Sequence, residues 1–220
     1  MHVSPDDPMC ETFFHYLNHH NMNLITHVGD ERAVDLAGVN NHFGNPLLYE
    51  KWLIKFPNLK IIFAHVGSEG QSRNKQGDLK DNFELVLELM EQFPTQLYAD
   101  LSAFSSVPAR AKYLPRLLQR PDLFDRFIYG SDYPIPCILP LFKLNLFFLE
   151  YYKLLDHIEN LSQFKTDLFE LYQHNPLLSA LILMKNMAYK QQHLPNKIFY
   201  QTIFNLLELD ANPVLLKQIR

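Results

Sequence analysis

The chain has 220 residues, with 20 Lys and Arg against 24 Asp and Glu, a net charge of −4 spread along its length. That balance excludes the basic surface that phosphate contacts demand, so no nucleic-acid partner is expected. With 47% hydrophobic and 20% charged residues, wholesale disorder is excluded too, and the length is sufficient for a sizeable core. Cys10 and Cys137 are the two cysteines and stand far apart, without zinc-knuckle spacing or disulfide density. The start, MHVSPDD, has neither the basic nor the apolar region of a signal peptide. The apolar stretch 138–149 is cut by Lys143 and Asn145 and is too short for a bilayer. A soluble, cytoplasmic protein with no membrane partner is the expectation.

In chain order, Asp6 and Asp7 followed by Pro8 open a helix that runs to about His20. An apolar run, LITHVGDE (24–31), then leads to a His with Gly behind it. A helix-like segment at 46–56 stops before Pro57, and the run IIFAHVGSEG (61–70) repeats the pattern. A helix over 78–93 stops before Pro94; LYADLSAF (97–104) follows, then a helix over 108–119 and the run FIYGSDYP (127–134). Each apolar run delivers a His or Asp at its end, as a doubly covered parallel strand does at its carboxyl end. His27, His65, Asp100 and Asp132 are spaced by 38, 35 and 32 residues, about one strand-plus-helix unit of a (β/α) barrel. About four and a half units are visible where a closed barrel has eight, so the expected fold is α/β, a partial (β/α)8 TIM barrel of strands 4 to 8. After Pro134 the pattern is helical at 139–155, 162–173, 176–192 and 195–209, with no strand-like run between. The expected division is a barrel part over 1–150 and a helical segment over 151–220 that packs on it.

His-Val-Gly occurs twice, at 27–29 and 65–67, each time ending an apolar run. In parallel α/β folds, ligands are handled where strand carboxyl ends converge, and His27, His65, Asp100 and Asp132 all hold that position. Two imidazoles and a carboxylate are usual ligands for Zn²⁺, and a bound metal lowers the pKa of its water to about 7. An adjacent carboxylate can take up the proton and return it, and Asp132 is the residue for that role. Either histidine alone reads as a backbone-bonding residue; two at matched positions, in register with Asp132, read as ligands. Asp100 reads equally as a loop-closing cap. Glu31 and Glu69, four residues after their histidines, cap the next helix or orient substrate. The other histidines lack matched spacing and read as surface or packing residues, and the stretch 139–155 reads as core ahead of a partner or membrane-surface helix. No glycine-rich phosphate loop is present among 7 glycines.

Read together, LITHVGDE, FPNLKIIFAHVGSEG, YADLS and RFIYGSDYP resemble strands five to eight of the amidohydrolase superfamily, in its amidohydrolase-related branch of metal-dependent TIM-barrel hydrolases. The resemblance covers about residues 1–134, and the segment 194–209 resembles that branch's C-terminal helix. It implies that His27 is a metal ligand, that His65 is a second ligand or a polariser of water and substrate, and that Asp132 is both metal-bound and the general acid/base. It further implies a divalent metal, zinc first, and a small-molecule substrate with a C–N or C–O bond to hydrolyse: an amide, lactone or ester. The branch's His-x-His pair after strand one and its Lys or Glu after strand four have no counterpart here. The chain is therefore expected to be a truncated or split gene product, or one whose start lies too late. The open barrel side invites a homo-oligomer or a complementing N-terminal half. A non-catalytic half-barrel remnant or interaction protein is the alternative to an enzyme.

Overall fold

The computed structural model describes residues 3–30, 41–134 and 138–206; Glu31, Cys137 and the end of the expected last helix lie outside them. The chain begins with a 3-10 turn, Pro8–Cys10, where the Asp7 carboxylate accepts the Met9 N–H at 2.8 Å. Helix α1 (Glu11–His19) follows, burying Phe14 and Leu17. Strand β1 (Asn23–His27) comes next, then a 3-10 turn Pro46–Tyr49 and helix α2 (Glu50–Lys55). Trp52 ties α2 to the N-terminal segment, its indole N–H donating to the Pro5 carbonyl at 2.7 Å.

Strand β2 (Lys60–Ala64) leads through the site loop to a short hairpin, β3 (Gln71–Arg73) with β4 (Leu79–Asp81), and then to helix α3 (Asn82–Gln92). The expected helix from 78 thus begins four residues late. The Asn74 side-chain oxygen accepts the N–H groups of Gln76 and Asp78 and, with Gly77 at φ 91°, holds a turn; Asp81, not Asp78, caps α3 by accepting the Phe83 N–H at 3.0 Å. Helix α3 buries Phe83, Leu85, Val86, Leu87, Leu89 and Met90. Strand β5 (Leu97–Asp100), a 3-10 turn Pro108–Tyr113, helix α4 (Leu114–Leu118) and strand β6 (Phe127–Ile128) complete this part.

Strands β1, β2, β5 and β6 form one sheet in that order, and every adjacent pair is parallel. Sequential parallel order with a helical crossover between neighbours is the pattern of a (β/α) barrel, and the four such strands among the described residues make it partial. Alternation along the strands separates two faces. Ile61, Phe63, Leu97, Ala99 and Phe127 join the large core with α2 and α3, whereas Ile62 and Ile128 face the other way.

The C-terminal part is mostly helical: α5 (Leu139–Tyr151), α6 (Leu161–His174), α7 (Pro176–Lys185) and α8 (Lys197–Leu206). Helix α5 ends earlier than expected. Lys153 takes a left-handed φ of 60° and the Leu154 N–H returns to the Leu149 carbonyl at 2.9 Å, a Schellman-type stop that buries Leu154. The expected helix over 176–192 is also corrected. It ends at Lys185, and the chain turns back through a hairpin of β7 (Ala188–Tyr189) and β8 (Gln192–His193). Lys190 and Gln191, at φ 49° and 66°, supply the two left-handed residues of a two-residue hairpin turn. The Ala188 N–H is drawn to the Leu154 carbonyl at 3.0 Å, a tertiary bond that a continuing helix would forgo. Leu154, Leu155, Leu168, Tyr172, Leu183 and Ile198 belong to the same buried cluster as Phe83 and Phe104. Helix α8 crosses the second sheet face: Ile198 accepts the Tyr129 N–H at 2.9 Å, Leu206 accepts from the Asn23 side chain at 3.2 Å, and Leu206 packs with Ile62 and Ile128. No helix among the described residues is long and apolar enough to cross a membrane.

Candidate active site

His27 is the last residue of β1, His65 directly follows β2, and Asp100 is the last of β5, so register alone brings them to one end of the sheet. Asp132 follows β6 by four residues. The chain must bend sharply where each strand ends. His65, Val66 and Gly67 take φ of 57°, 54° and 59°, Glu69 takes 95°, and Asp132 takes 63°. The repeated His-Val-Gly has a steric reason at both sites. Gly29 and Gly67 are left-handed, and a Cβ on Gly29 would meet the Glu69 and Gly67 carbonyls at 2.8 and 3.0 Å, so the two repeats pack against each other.

His65 is the hub. Its ring is buried and its Nε2 lies 3.8 Å from Asp132 Oδ2. Its Nδ1 lies 2.7 Å from Ser102 Oγ and 3.2 Å from the Ser102 carbonyl. The His27 ring stands edge-on to it with centroids 5.6 Å apart. Asp100, which read equally as a site residue or a loop closer, closes the loop. Its Oδ1 accepts the His65 N–H at 3.0 Å, the Ser102 N–H at 2.9 Å and the Ser102 hydroxyl. The carboxylate therefore fixes the backbone of two neighbouring strand ends as well as one side chain.

Two residues escaped sequence reasoning. Ser102 lies two positions after Asp100, and the D-x-S spacing is the signal that an aspartate and a hydroxyl share one turn. Arg110 had no such signal, because it sits inside what reads as a helix. The 3-10 turn over Pro108–Tyr113 carries it into the site, 9% exposed, with Nη1 donating to the Ser102 carbonyl at 3.3 Å. Its guanidinium lies 4.0 Å from Asp132 Oδ2 and 3.9 Å from Glu69 Oε1, so it places positive charge between two carboxylates. Glu69 thus faces Arg110, neither reading of its sequence position having included that neighbour.

Burial, aided by the charge of Arg110, pushes the His65 pKa below its ordinary value against the opposing pull of Asp100 and Asp132, and the nearby His27 pushes in the same direction as burial. The ring is therefore neutral at pH 7. Tyr113, whose hydroxyl donates to Asp81 at 3.1 Å, is pushed up by burial and by the Asp81 charge.

Of the sequence-predicted metal ligands, His65 approaches both His27 and Asp132. Even so, no three His, Cys, Asp or Glu side chains among the described residues stand close enough together to hold a metal ion. A catalytic zinc centre takes three protein ligands and an open position, so these residues in this arrangement do not fit the group on their own. What they do form is a neutral imidazole and a carboxylate facing one another across a gap, at the carboxyl ends of a parallel sheet.

The fold is that of a partial (β/α) barrel, with imidazole and carboxylate groups at the strand ends, the face where barrels of this class handle ligands. The sequence model of the amidohydrolase family matches residues 1–137, and the chain belongs to that family. No curated protein matches the chain. Among solved structures, an uncharacterized TIM-barrel protein from Bordetella bronchiseptica is similar at 19% identity with a TM-score of 0.45; the match covers 67% of this chain and 45% of that one, so the chain spans less than half of that protein's length.

Proposed function

We propose that the chain carries the strand-end half of a hydrolase site that cleaves a C–N or C–O bond in a small amide, lactone or ester. The observation that carries this reading is the approach of His65 Nε2 to Asp132 Oδ2 at 3.8 Å in a chain of the amidohydrolase family. Asp132 is the general acid/base: its carboxylate accepts a proton from the attacking water and returns it to the leaving nitrogen or oxygen. His65 polarises the water by accepting a hydrogen bond from it. A divalent metal, zinc first, belongs to this reading with His27, His65 and Asp132 as its proposed ligands. Because they do not make a three-donor set by themselves, the proton chemistry rests on Asp132 and His65 alone.

A panel of simple amides, lactones and esters, assayed near pH 7 with and without added zinc, tests the proposal. The parent chain is expected to hydrolyse at least one class, and Asp132→Asn is expected to lower kcat/KM by about 10²–10⁴, the usual worth of a positioned acid/base. Absence of any turnover by the parent under all conditions refutes it for this chain.

A second reading has its own observation. Among the described residues strand β1 is an edge of the sheet, and Ile25 at its centre is 65% exposed. An edge of that kind is a template for pairing. The proposal is that a strand from outside residues 3–206, in a complementing barrel half, covers it; an Ile25→Lys variant that retains every partner and oligomeric state of the parent contradicts this.

A further inference from the structure

Which nitrogen of His65 carries the proton decides what the ring can do, and its surroundings fix the answer. Ser102 has one hydroxyl hydrogen and two neighbours that compete for it: Asp100 Oδ1 and His65 Nδ1. Oδ1 already accepts two backbone N–H groups, from His65 and Ser102, and so acts as an acceptor. A carboxylate is a stronger acceptor than an imidazole nitrogen, so the hydroxyl hydrogen goes to Asp100. Ser102 Oγ then presents a lone pair to Nδ1 at 2.7 Å. The second neighbour of Nδ1 is the Ser102 carbonyl oxygen at 3.2 Å, which can only accept. Both contacts are favourable only when Nδ1 bears the hydrogen. At the other end of the ring, Asp132 Oδ2 is 3.8 Å from Nε2, beyond hydrogen-bond reach, and exerts no comparable claim on the proton.

We infer that Ser102 and Asp100 are positioning residues that lock His65 as its Nδ1–H tautomer and leave the Nε2 lone pair bare toward Asp132. Two acceptors then face each other across 3.8 Å with no hydrogen between them. The gap suits a group that offers a hydrogen to each, such as a water molecule. The tautomer stands on geometry alone; its use in catalysis rests on the hydrolase reading above.

The test is a two-bond ¹H–¹⁵N correlation spectrum of the ¹⁵N-labelled full chain above pH 7, with the His65 ring assigned by its disappearance in His65→Gln. The parent is expected to show a pyrrole-type Nδ1 and a pyridine-type Nε2. Removing the relay in Ser102→Ala is expected to move the tautomer ratio toward Nε2–H by about twofold to tenfold, the worth of one net hydrogen bond. Ser102→Thr, which keeps the hydroxyl, is expected to restore the parent ratio and shows that the change is not a packing effect. A parent ring protonated on Nε2, or a Ser102→Ala spectrum with the parent's ratio in a folded protein, overturns the inference. Because no substrate is involved, failure here is distinguishable from failure of the hydrolase reading, and a chain without activity still reports its tautomer.

Discussion

Replacing Asp100 by Ala is expected to cost far more stability than its half-surface position suggests. Its Oδ1 alone receives the backbone N–H groups of His65 and Ser102 and the Ser102 hydroxyl, and these donors come from two different strand ends. Alanine leaves the two backbone N–H groups facing a void, in residues that are 8% and 5% exposed, while the Ser102 hydroxyl can turn to His65 Nδ1 at 2.7 Å. Each bond to a charged acceptor is worth about 1.5–2.5 kcal/mol, so losing the two backbone bonds costs about 3–5 kcal/mol. That is a large share of the 5–15 kcal/mol or so that holds a typical domain. In urea, with an m value of about 2–3 kcal/mol/M for a chain of this size, the midpoint is expected to fall by about 1–2 M. Asn at the same position keeps an acceptor oxygen in place and is expected to lose only about 1 kcal/mol. Equilibrium unfolding followed by far-ultraviolet circular dichroism measures all three proteins. A loss below about 1 kcal/mol in the Ala variant, or equal losses in Ala and Asn, refutes the view that one carboxylate oxygen ties the two loops together.

Three further outcomes are expected. His65 is held below its ordinary pKa of 6.5, so the unfolded chain takes up its proton first as pH falls; the stability this gives is complete above pH 6.5 and is lost toward the folded pKa, and the urea midpoints of parent and His65→Gln are expected to converge or cross as pH drops from 7.5 to 5.5. In the hairpin turn, Gln191→Gly relieves a left-handed side-chain position at φ 66° and is expected to raise stability by about 0.5–1 kcal/mol, read as a higher melting temperature. Gly44→Ala is expected to be severely destabilising, by more than about 3 kcal/mol, because its Cβ would fall 2.1 Å from the Gly29 carbonyl oxygen; a folded variant with a parent-like melting temperature contradicts the close approach of the two loops.

What the sequence made legible follows from what is local. The apolar runs ending at His27, His65 and Asp100 declared parallel strands because each is a short unbroken apolar stretch, although only β2 is buried almost throughout and β1 leaves Ile25 exposed, and the sheet order followed from the spacing. The helix from 78 and the one to 192 were misplaced for a common reason. Leu79 to Asp81 and Ala188 to His193 have helix-compatible composition, and their hairpins are decided by turns and by a tertiary bond such as Ala188 N–H to Leu154. In the site, strand-end residues were readable from position. Arg110 was not, since nothing in its local pattern separates an arginine buried against Ser102 from one on a solvated helix face. Asp100 was ambiguous because a loop-closing aspartate and a ligand look identical until the donors around it are known.

The backbone at His65 shows why such a site needs the core behind it. Three consecutive left-handed residues, one of them the β-branched Val66, are unfavourable by about 1–2 kcal/mol for each side chain that carries a Cβ. The compensation is visible in the packing. Val66 is wholly buried in the main core, and Gly67 lies so close to Val86 of α3 that a Cβ would come within 2.7 Å of its Cγ2. The Asp100 carboxylate holds the His65 N–H, and the Ser68 N–H returns to the His65 carbonyl at 2.8 Å. The turn is thus clamped by apolar contact on its α3 side and by hydrogen bonds on its β5 side, and the one large polar side chain it carries is left pointing at Asp132. A right-handed path after β2 would carry residues 65–67 on toward a helix and take the His65 ring away from Ser102. The strain is therefore the structural cost of presenting an imidazole at a strand end with its Nδ1 side occupied and its Nε2 side turned to the aspartate.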